Sequence, residues 1–288
     1  MKCFLVVCAW LPMPVLHGLG KVWGLLLFML PSRSRATTLI NLRACFPHRS
    51  EAEILQLARQ SLVNTACTAL EMGKAWLPVI EKTLAQVVDK DAAGMQSLEA
   101  ALIAKKGVIV LAPHLGNWEI FGFAISDNQD ATFLYQPPKI SALDKLIRRA
   151  RSRSGIKMVP TDRKGVAQLL KALQRGGLIG VLPDQVPADE SGVHARFFGQ
   201  QAFTMTLVSR LVQRTEARVF CGFAMRLPHS AGFKIIVQEA DPSIYSENLE
   251  DSVNGLNRSV EKAVGMAISQ YQWEYKRLRR QPDGKNLY

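Results

Sequence analysis

The sequence predicts an α/β domain whose central sheet is largely parallel and flanked by helices. Two continuous apolar runs, VIVLAPH at 108–114 and LIGVLPD at 178–184, have the composition of strands buried on both faces of a sheet. Segments with helical spacing alternate with such strands, which is the order that produces parallel strands joined by helices. A third observation is the strongly apolar N-terminus. The chain of 288 residues therefore predicts an N-terminal membrane-anchoring helix at 1–31 and one folded domain at 32–288.

The N-terminal segment has the length and composition of a membrane anchor. Between Cys3 and Pro31 the only formal charge is that of Lys21. A helix of about 28 residues, rising ~1.5 Å per residue, is long enough to cross a bilayer core of ~30 Å. Pro12 and Pro14 would bend such a helix. A full span, a bent and partly embedded anchor, and a buried core helix therefore stay open.

The residues that flank this segment predict its orientation. No small-residue cleavage site follows the apolar stretch, which disfavours a cleaved signal peptide. By the positive-inside rule, the arginines that follow keep their side of the segment cytoplasmic. These are Arg33, Arg35, Arg43 and Arg49.

The elements of the folded domain can be placed in order along the chain. Ser50 and Glu53 form a capping box that opens a long amphipathic helix, and a second helix is predicted at 95–105. After the first buried strand, Gly116 and Asn117 end the strand and WEIFGFAI begins a helix. The remaining strands are predicted at 131–136, 157–160, 178–184, 218–227 and 233–240, with the last two antiparallel. The remaining helices are predicted at 143–155, 165–177, 204–215 and 252–272, and 185–199 is predicted to be a loop rich in proline, glycine and aspartate.

Several classes of site are disfavoured by what the sequence lacks. The five cysteines are scattered and none forms a C-x-x-C pair, which argues against a disulfide framework and a zinc site. The sequence has no G-x-S-x-G nucleophile elbow, no Walker loop and no G-x-G-x-x-G motif. We therefore expect no metal, no cofactor and no covalent intermediate on a serine or cysteine.

The strongest local signal is His114 and Glu119 in the segment HLGNWE. On an unbroken helix, residues five apart point in different directions, but a strand ending at His114 and a helix starting near Asn117 remove this obstacle. His114 then projects from the carboxyl end of a central strand, where open α/β sheets place their sites. A carboxylate beside a histidine fixes its tautomer and stabilises the imidazolium. The pair predicts a general base with a carboxylate partner; the alternative is a capping histidine and a surface glutamate.

The neighbours of this pair and the basic run downstream allow further expectations. Asn117 is predicted to cap the helix and Trp118 to pack in the core, while the backbone N–H groups of 115–117 or a basic side chain are candidates to stabilise an oxyanion. The net charge of +12 favours nucleic acid, anionic lipid or acidic partners. A cluster of six cations without an intervening acid is either a solvated helix face or a binding surface for phosphates. It consists of Lys145, Arg148, Arg149, Arg151, Arg153 and Lys157.

Seven short motifs, in order along nearly the whole chain, resemble those of one enzyme family. The His-x4-Glu spacing resembles the signature of the lysophospholipid acyltransferase-like superfamily, and the wider frame resembles its bacterial lipid A biosynthesis lauroyl/myristoyl acyltransferases. The motifs are NLRACFP at 41–47, HLGNWE at 114–119, ARSRSG at 150–155, DRKG at 162–165, LPDQ at 182–185, FFG at 197–199 and QYQWEYKR at 270–277. The sequence departs from the family pattern at Gln136, where many relatives carry arginine.

The resemblance implies a reaction and roles for particular residues. It implies transfer of a fatty acyl chain from the thioester of acyl carrier protein to a hydroxyl of a phosphorylated lipid A precursor, on the cytoplasmic face of the inner membrane. It implies His114 as general base with Glu119 as its partner, and a need for Arg151 and Asp184. Asp184 would orient Arg151 or cap the next turn. Arg153 would also bind substrate or the transition state, and Arg148, Arg149 and Lys157 would form a surface for an anionic partner.

Two alternatives to this function stay open. One is a member of the same family that acylates another glycolipid, such as a phosphatidylinositol mannoside. The other is a membrane-tethered, nucleic-acid-binding protein that uses the arginine-rich helix. We expect no nucleic-acid partner, because aromatic residues do not interleave with the arginines and no recognised binding motif is present.

Overall fold

A computed structural model describes residues 2–138, 140–284 and 287–288, with the side chains of Lys2 and Cys3 outside the description. Met1, with which the predicted anchor begins, also lies outside it. The strands are β1 (Val87–Lys90), β2 (Val108–Leu111), β3 (Ala131–Tyr135), β4 (Lys157–Pro160), β5 (Leu178–Val181), β6 (Gly192–Phe197), β7 (Gln200–Met205), β8 (Arg218–Arg226) and β9 (Phe233–Glu239). The helices are α1 (Lys2–Trp10), α2 (Met13–Met29), α3 (Arg33–Cys45), α4 (Glu51–Trp76), α5 (Ile80–Leu84), α6 (Ala92–Ile103), α7 (Trp118–Ser126), α8 (Ser141–Ser152), α9 (Arg163–Gln174), α10 (Leu207–Val212) and α11 (Leu249–Met266).

The predicted α/β architecture with a largely parallel sheet is confirmed. Seven strands form one sheet in the order β1-β9-β8-β2-β5-β3-β4, and the ladders of this sheet are parallel except for β8 with β9. Every residue of β2 and β5 is buried, as the continuous apolar runs predicted. Alternate residues of β2 point to opposite faces: Ile109 and Leu111 enter one hydrophobic core, and Val108 and Val110 enter the other.

The register between β2 and β5 determines which residues meet beyond the strand ends. These strands pair in parallel from Val108 with Leu178 to Leu111 with Val181. Residues that follow the two strands by the same number of positions therefore emerge at the same level of the sheet. His114 and Asp184 each come three positions after the last pair, so the register brings them side by side.

The region between β5 and β8 differs from the prediction. The expected loop at 185–199 contains β6, which forms an antiparallel hairpin with β7, and the expected helix at 204–215 begins only at Leu207. Phe198 and Gly199 both have positive φ, the backbone that a two-residue hairpin turn requires. The strand β1 was not predicted either. Neither β1 nor β6 has the continuous apolar run that identified the buried strands.

The N-terminal segment does not form the single helix of about 28 residues that the sequence allowed. It is divided at Leu11 and Pro12 into α1 and α2. Within the described residues, no single helix has both the length and the hydropathy to cross a bilayer; α2 and α3 meet that criterion only as a pair bent by 79°. Helix α2 lies against α4, where Gly20 and Gly24 allow close approach. A Cβ atom at Gly24 would lie 2.3 Å from the Cα atom of Val63.

A buried carboxylate joins this N-terminal layer to the sheet. Glu71 of α4 is fully buried and accepts hydrogen bonds from Arg226 of β8 through two guanidinium nitrogens. His17 of α2 lies 2.7 Å from the same carboxylate. Burial raises the pKa of Glu71, but Arg226 and His17 lower it more, to about 2. Three separate segments of the chain therefore meet at one charge.

The depressed pKa of Glu71 predicts how stability depends on acid. A carboxyl group with a lowered folded-state pKa contributes stability that is complete above its ordinary pKa of 4.5 and is lost as pH falls towards about 2. We expect Glu71→Gln to lower the free energy of unfolding at pH 7 by on the order of 3 kcal/mol. The difference from the wild type should shrink as pH falls from 5 to 2, as measured by urea unfolding in detergent.

Glu51→Gln is the matched control, because Glu51 lies on the same helix but is exposed. Its difference from the wild type should stay small throughout this pH range. A loss of unfolding free energy in Glu71→Gln that stayed constant from pH 7 to 2 would contradict a stabilising role for the ionised Glu71 carboxylate.

Candidate active site

The loop that follows β2 is fixed by residues that its backbone requires. Gly116 has φ +59°, and a Cβ atom there would lie 2.1 Å from the carbonyl oxygen of Ala224. A glycine is therefore the residue that fits this position. Asn117 then caps α7, because its side-chain oxygen accepts from the backbone N–H of Ile120 at 3.1 Å. The predicted cap is confirmed.

Neighbouring segments hold the same loop through its backbone. The N–H of Leu115 donates to the carbonyl of Pro113, that of Gly116 to Gln270, and that of Asn117 to Ala224. All three backbone donors that were candidates for an oxyanion hole are thus occupied, and this part of the prediction is wrong. The C-terminal segment also closes over His114, whose carbonyl accepts from the N–H of Gln272 at 3.0 Å.

His114 is paired with Asp184. The Nδ1 atom of His114 lies 2.9 Å from Oδ1 of Asp184, and the backbone N–H of His114 donates to Oδ2 at 2.9 Å. Both side chains are buried. Because a carboxylate accepts hydrogen bonds, this contact favours the proton on Nδ1 and leaves the lone pair on Nε2. The pair has the geometry of a histidine oriented by a carboxylate.

The surroundings of Asp184 keep it ionised. Burial alone would raise the pKa of this carboxyl, but the electrostatic interaction with His114 and the two hydrogen bonds from that residue outweigh burial and hold the pKa below the ordinary value. Tyr271 is buried beside it, and burial together with the negative charge of Asp184 raises the pKa of the Tyr271 hydroxyl. An ionised Asp184 can therefore stabilise an imidazolium at His114.

The open side of the His114 ring carries two contacts. The side-chain amide of Gln185 lies 3.2 Å from Nε2, in the place where a hydrogen-bond donor to that lone pair would lie. The Trp118 ring packs at 4.9 Å between centroids and is tilted by 58°. Gln185 is exposed, so a substrate hydroxyl could replace its amide at Nε2 without moving the buried side of the ring.

Glu119 is paired with Arg151 and not with His114. Arg151 donates to the two carboxylate oxygens of Glu119 at 2.6 and 3.2 Å, and both side chains are buried. Two pairings that the sequence suggested, His114 with Glu119 and Asp184 with Arg151, are therefore exchanged. Helix α7 places Glu119 beside α8, while the register of β2 and β5 places the His114 ring beside Asp184.

A small cavity adjoins the Glu119–Arg151 pair. Its volume is about 20 Å³, and it is lined mainly by apolar side chains that include Phe123, Phe133 and Ile156. A space of this size holds about one water molecule. The ion pair therefore lies in the interior, where it joins α7 to α8.

The other predicted cations are placed in different surroundings. Arg153 donates to the backbone carbonyls of Trp76 and Leu77, so it ties the end of α8 to the end of α4. Arg148 forms an exposed ion pair with Asp144, one turn earlier on α8. Lys157 pairs with Asp130, and Arg149 is exposed. The structure therefore does not bring Arg153 to His114, and the basic run is not one continuous free surface.

The described cysteine thiols have no context for nucleophilic chemistry. Cys8, Cys45, Cys67 and Cys221 are free and buried. Burial raises the pKa of the Cys67 thiol to about 11 and that of Cys45 to about 12. Since the thiolate is the nucleophile, these groups are held in their unreactive form.

Sequence reasoning missed some residues that surround His114. Gln185 and Tyr271 lie inside motifs that the sequence analysis quoted, but no role was inferred for either. The partnership of His114 with Asp184 also had a signal, since both follow buried strands of similar length. That signal could not be used without knowing that the two strands are neighbours.

Comparisons with known proteins agree on one family across the chain. A model of the family described as "Bacterial lipid A biosynthesis acyltransferase" matches residues 2–280. The "Lipid A biosynthesis lauroyltransferase" of Escherichia coli K12 is 26% identical over 95% of this chain and 88% of its own length. A "Lipid A biosynthesis acyltransferase" of Haemophilus influenzae is 25% identical over 99% and 88%. The "Lipid A biosynthesis myristoyltransferase" of Escherichia coli K12 is 25% identical over 94% and 82%.

Proposed function

Because the chain belongs to the bacterial lipid A biosynthesis acyltransferase family, we propose that it transfers a fatty acyl group from a thioester to a hydroxyl of a lipid A precursor, with His114 as general base. Family membership makes the chain an acyltransferase. The observation that carries the mechanism is the Asp184 carboxylate, which engages both the ring and the backbone of His114. That contact leaves Nε2 available to accept a proton.

The proposed reaction is a direct transfer without an acyl-enzyme. A substrate hydroxyl replaces the Gln185 amide at Nε2, and its oxygen attacks the thioester carbonyl carbon while His114 takes the proton. The tetrahedral intermediate then collapses, the C–S bond breaks, and the imidazolium returns the proton to the leaving sulfur. General-base assistance of this kind contributes about 10²–10⁴-fold.

The remaining residues of the site have supporting roles in this proposal. Asp184 orients the ring and stabilises the imidazolium. The backbone N–H groups of the loop are occupied, so in this proposal a side chain stabilises the oxyanion. The Gln185 amide, once the substrate hydroxyl has displaced it from Nε2, is available as that donor. Glu119 and Arg151 form a buried pair that fixes the start of α7 relative to α8. Their effect on the reaction is therefore to position the His114 loop.

We propose acyl carrier protein as the donor and the phosphates of the lipid as a second anionic partner. The net charge of +12 and the exposed cations Lys145 and Arg149 of α8 suit both. Arg148 shares its charge with Asp144 and contributes less. A comparison of acyl carrier protein and coenzyme A thioesters of the same chain, with the product identified by mass spectrometry, distinguishes the donor. The same product analysis distinguishes a lipid A precursor from a mannosylated phosphoinositide.

The first functional prediction concerns the effect on kcat of changing His114, its partner Asp184 and the Glu119–Arg151 pair. His114→Ala and Asp184→Asn should lower kcat by about 10²–10⁴-fold, because the former removes the base and the latter removes the charge that orients it. Glu119→Gln and Arg151→Lys should lower kcat through a displaced loop. Steady-state acyl transfer to a tetra-acylated lipid A precursor measures all four.

Arg148→Ala is the matched control for Arg151→Lys, since it changes an exposed arginine on the same helix. It should leave kcat unchanged and raise KM at low ionic strength only. A folded His114→Ala variant that retained a tenth of wild-type turnover would contradict the proposed base.

We also propose that the chain attaches to the membrane through the outer face of α1 and α2. One side of α2 packs on α4, and the other presents apolar side chains at helical spacing to solvent. An exposed apolar strip of this length is typical of a surface that lies in a lipid interface. Its members are Phe4, Val7, Trp10, Val15, Leu19, Val22, Leu26, Met29 and Leu30. Attachment by this face leaves the domain on one side of the inner membrane, with the flanking arginines favouring the cytoplasmic side.

The attachment face predicts the effect of charged substitutions. Leu19→Glu combined with Leu26→Glu should release the protein from membranes into the soluble fraction at high salt, because both side chains are half exposed and leave the α4 contact intact. Ile103→Glu is the control, since Ile103 is 81% exposed on α6. Membrane retention of the double variant, equal to that of the wild type, would contradict attachment by this face.

A further inference from the structure

The fully buried Glu71 carboxylate reaches the His114 loop without being part of its motif. Its two oxygens have separate partners: Oε1 accepts from Arg226 and lies beside His17, whereas Oε2 accepts from Arg226 and from Asn117 at 3.1 Å. Asn117 lies between His114 and Glu119 in the sequence. Glu71 therefore contacts the segment that joins the proposed base to the helix of the Glu119–Arg151 pair.

Both ends of the Asn117 side chain are engaged, one by Glu71 and the other by the helix cap. Its Nδ2 donates to Glu71 and its Oδ1 accepts from the N–H of Ile120. The carboxylate thus selects the orientation of the amide in which the oxygen caps α7. Without an acceptor at Glu71, a buried donor would be left unpaired at this turn.

Arg226 extends the same support to the other side of the loop. Its Nη2 donates to the hydroxyl of Thr68, and that hydroxyl donates to the carbonyl of Gly116 at 3.3 Å. The backbone of Arg226 exchanges two hydrogen bonds with the side chain of Gln270. The backbone carbonyl of Gln270 in turn accepts from the Gly116 N–H. Gly116 is therefore held at its carbonyl through the guanidinium of Arg226 and Thr68, and at its N–H through Gln270, which bonds the backbone of Arg226.

We propose that Glu71 is a positioning residue for acyl transfer, which acts by holding Asn117 and Gly116 so that His114 meets Asp184 in the reactive geometry. The inference rests on the proposed function of His114. Glu71 also stabilises the fold, but apolar packing could supply stability of that kind. The contact with Asn117 adds a contribution that packing could not, since it fixes the geometry of the loop. A displacement of about 1 Å at a reacting group costs about 10²-fold in rate.

Glu71→Gln tests the proposal with little change in volume. An amide has one acceptor and one donor end, so it cannot accept at both positions where the carboxylate does. We expect kcat per folded molecule to fall 10- to 100-fold with KM within twofold of the wild type. Folded protein is quantified by near-UV circular dichroism of the full chain in detergent micelles. A merely structural role would lower the folded fraction and leave turnover per folded molecule unchanged.

A reciprocal exchange tests the contact itself. Asn117→Asp alone places two carboxylates together and should lower kcat as well, although aspartate caps a helix as well as asparagine does. In the double variant Glu71→Gln, Asn117→Asp, the new amide can donate to the new carboxylate. We expect the double variant to turn over at least threefold faster than either single variant.

Two controls make the outcomes distinguishable. Ser252→Ala removes a buried hydroxyl that bonds only the Ile244 carbonyl among the described contacts, and should keep kcat per folded molecule. The proposed function is tested independently of Glu71, by acyl transfer in the wild type and its loss in His114→Ala. If His114→Ala is active, the proposed function fails. If His114→Ala is inactive but Glu71→Gln keeps wild-type kcat, or the double variant is less than threefold faster than the faster single variant, the positioning role is overturned.

Discussion

The in-register parallel pairing of β2 with β5 is the constraint on which the candidate site depends. Parallel neighbours with matched ends deliver the residues that follow them to the same edge of the sheet. Here Leu111 pairs with Val181, and His114 and Asp184 follow three positions later on each strand. Their side chains are in contact at this edge. A shift by one residue between these strands would separate the ring from its carboxylate and would turn each strand's side chains to the opposite face.

Three buried carboxylates stabilise this edge of the sheet through different contacts. Asp184 contacts His114 directly, Glu119 joins α7 to α8 through Arg151, and Glu71 joins α4 to β8 through Arg226. Each has a specific partner: the His114 ring for Asp184 and an arginine for Glu119 and Glu71. Removing the arginine of such a buried pair leaves an unpaired charge at a cost of about 3–5 kcal/mol. The loop from His114 to Glu119 touches all three pairs. Its conformation is therefore set by tertiary contacts more than by its own sequence.

The sequence predicted those features that depend on local pattern. The buried strands β2 and β5, the capping box at Ser50 and the Asn117 cap each follow from residue type and spacing within a few positions. His114, Glu119, Arg151 and Asp184 were also selected, and the structure buries all four. What could not be predicted is their pairing, since strand order is a tertiary property. Glu71 gave no local signal, because a glutamate in an amphipathic helix is ordinarily solvated.

The tautomer of His114 tests the central claim most directly, because it depends on the Asp184 contact. Long-range ¹H–¹⁵N correlation spectra of protein labelled at its five histidines report which ring nitrogen carries the proton, and His114→Gln assigns the signal. At neutral pH we predict a proton on Nδ1 and an unprotonated Nε2 in the wild type, with the preference lost in Asp184→Asn and kept in Glu119→Gln. A proton on Nε2, or a tautomer that responds to Glu119 and not to Asp184, would contradict the account.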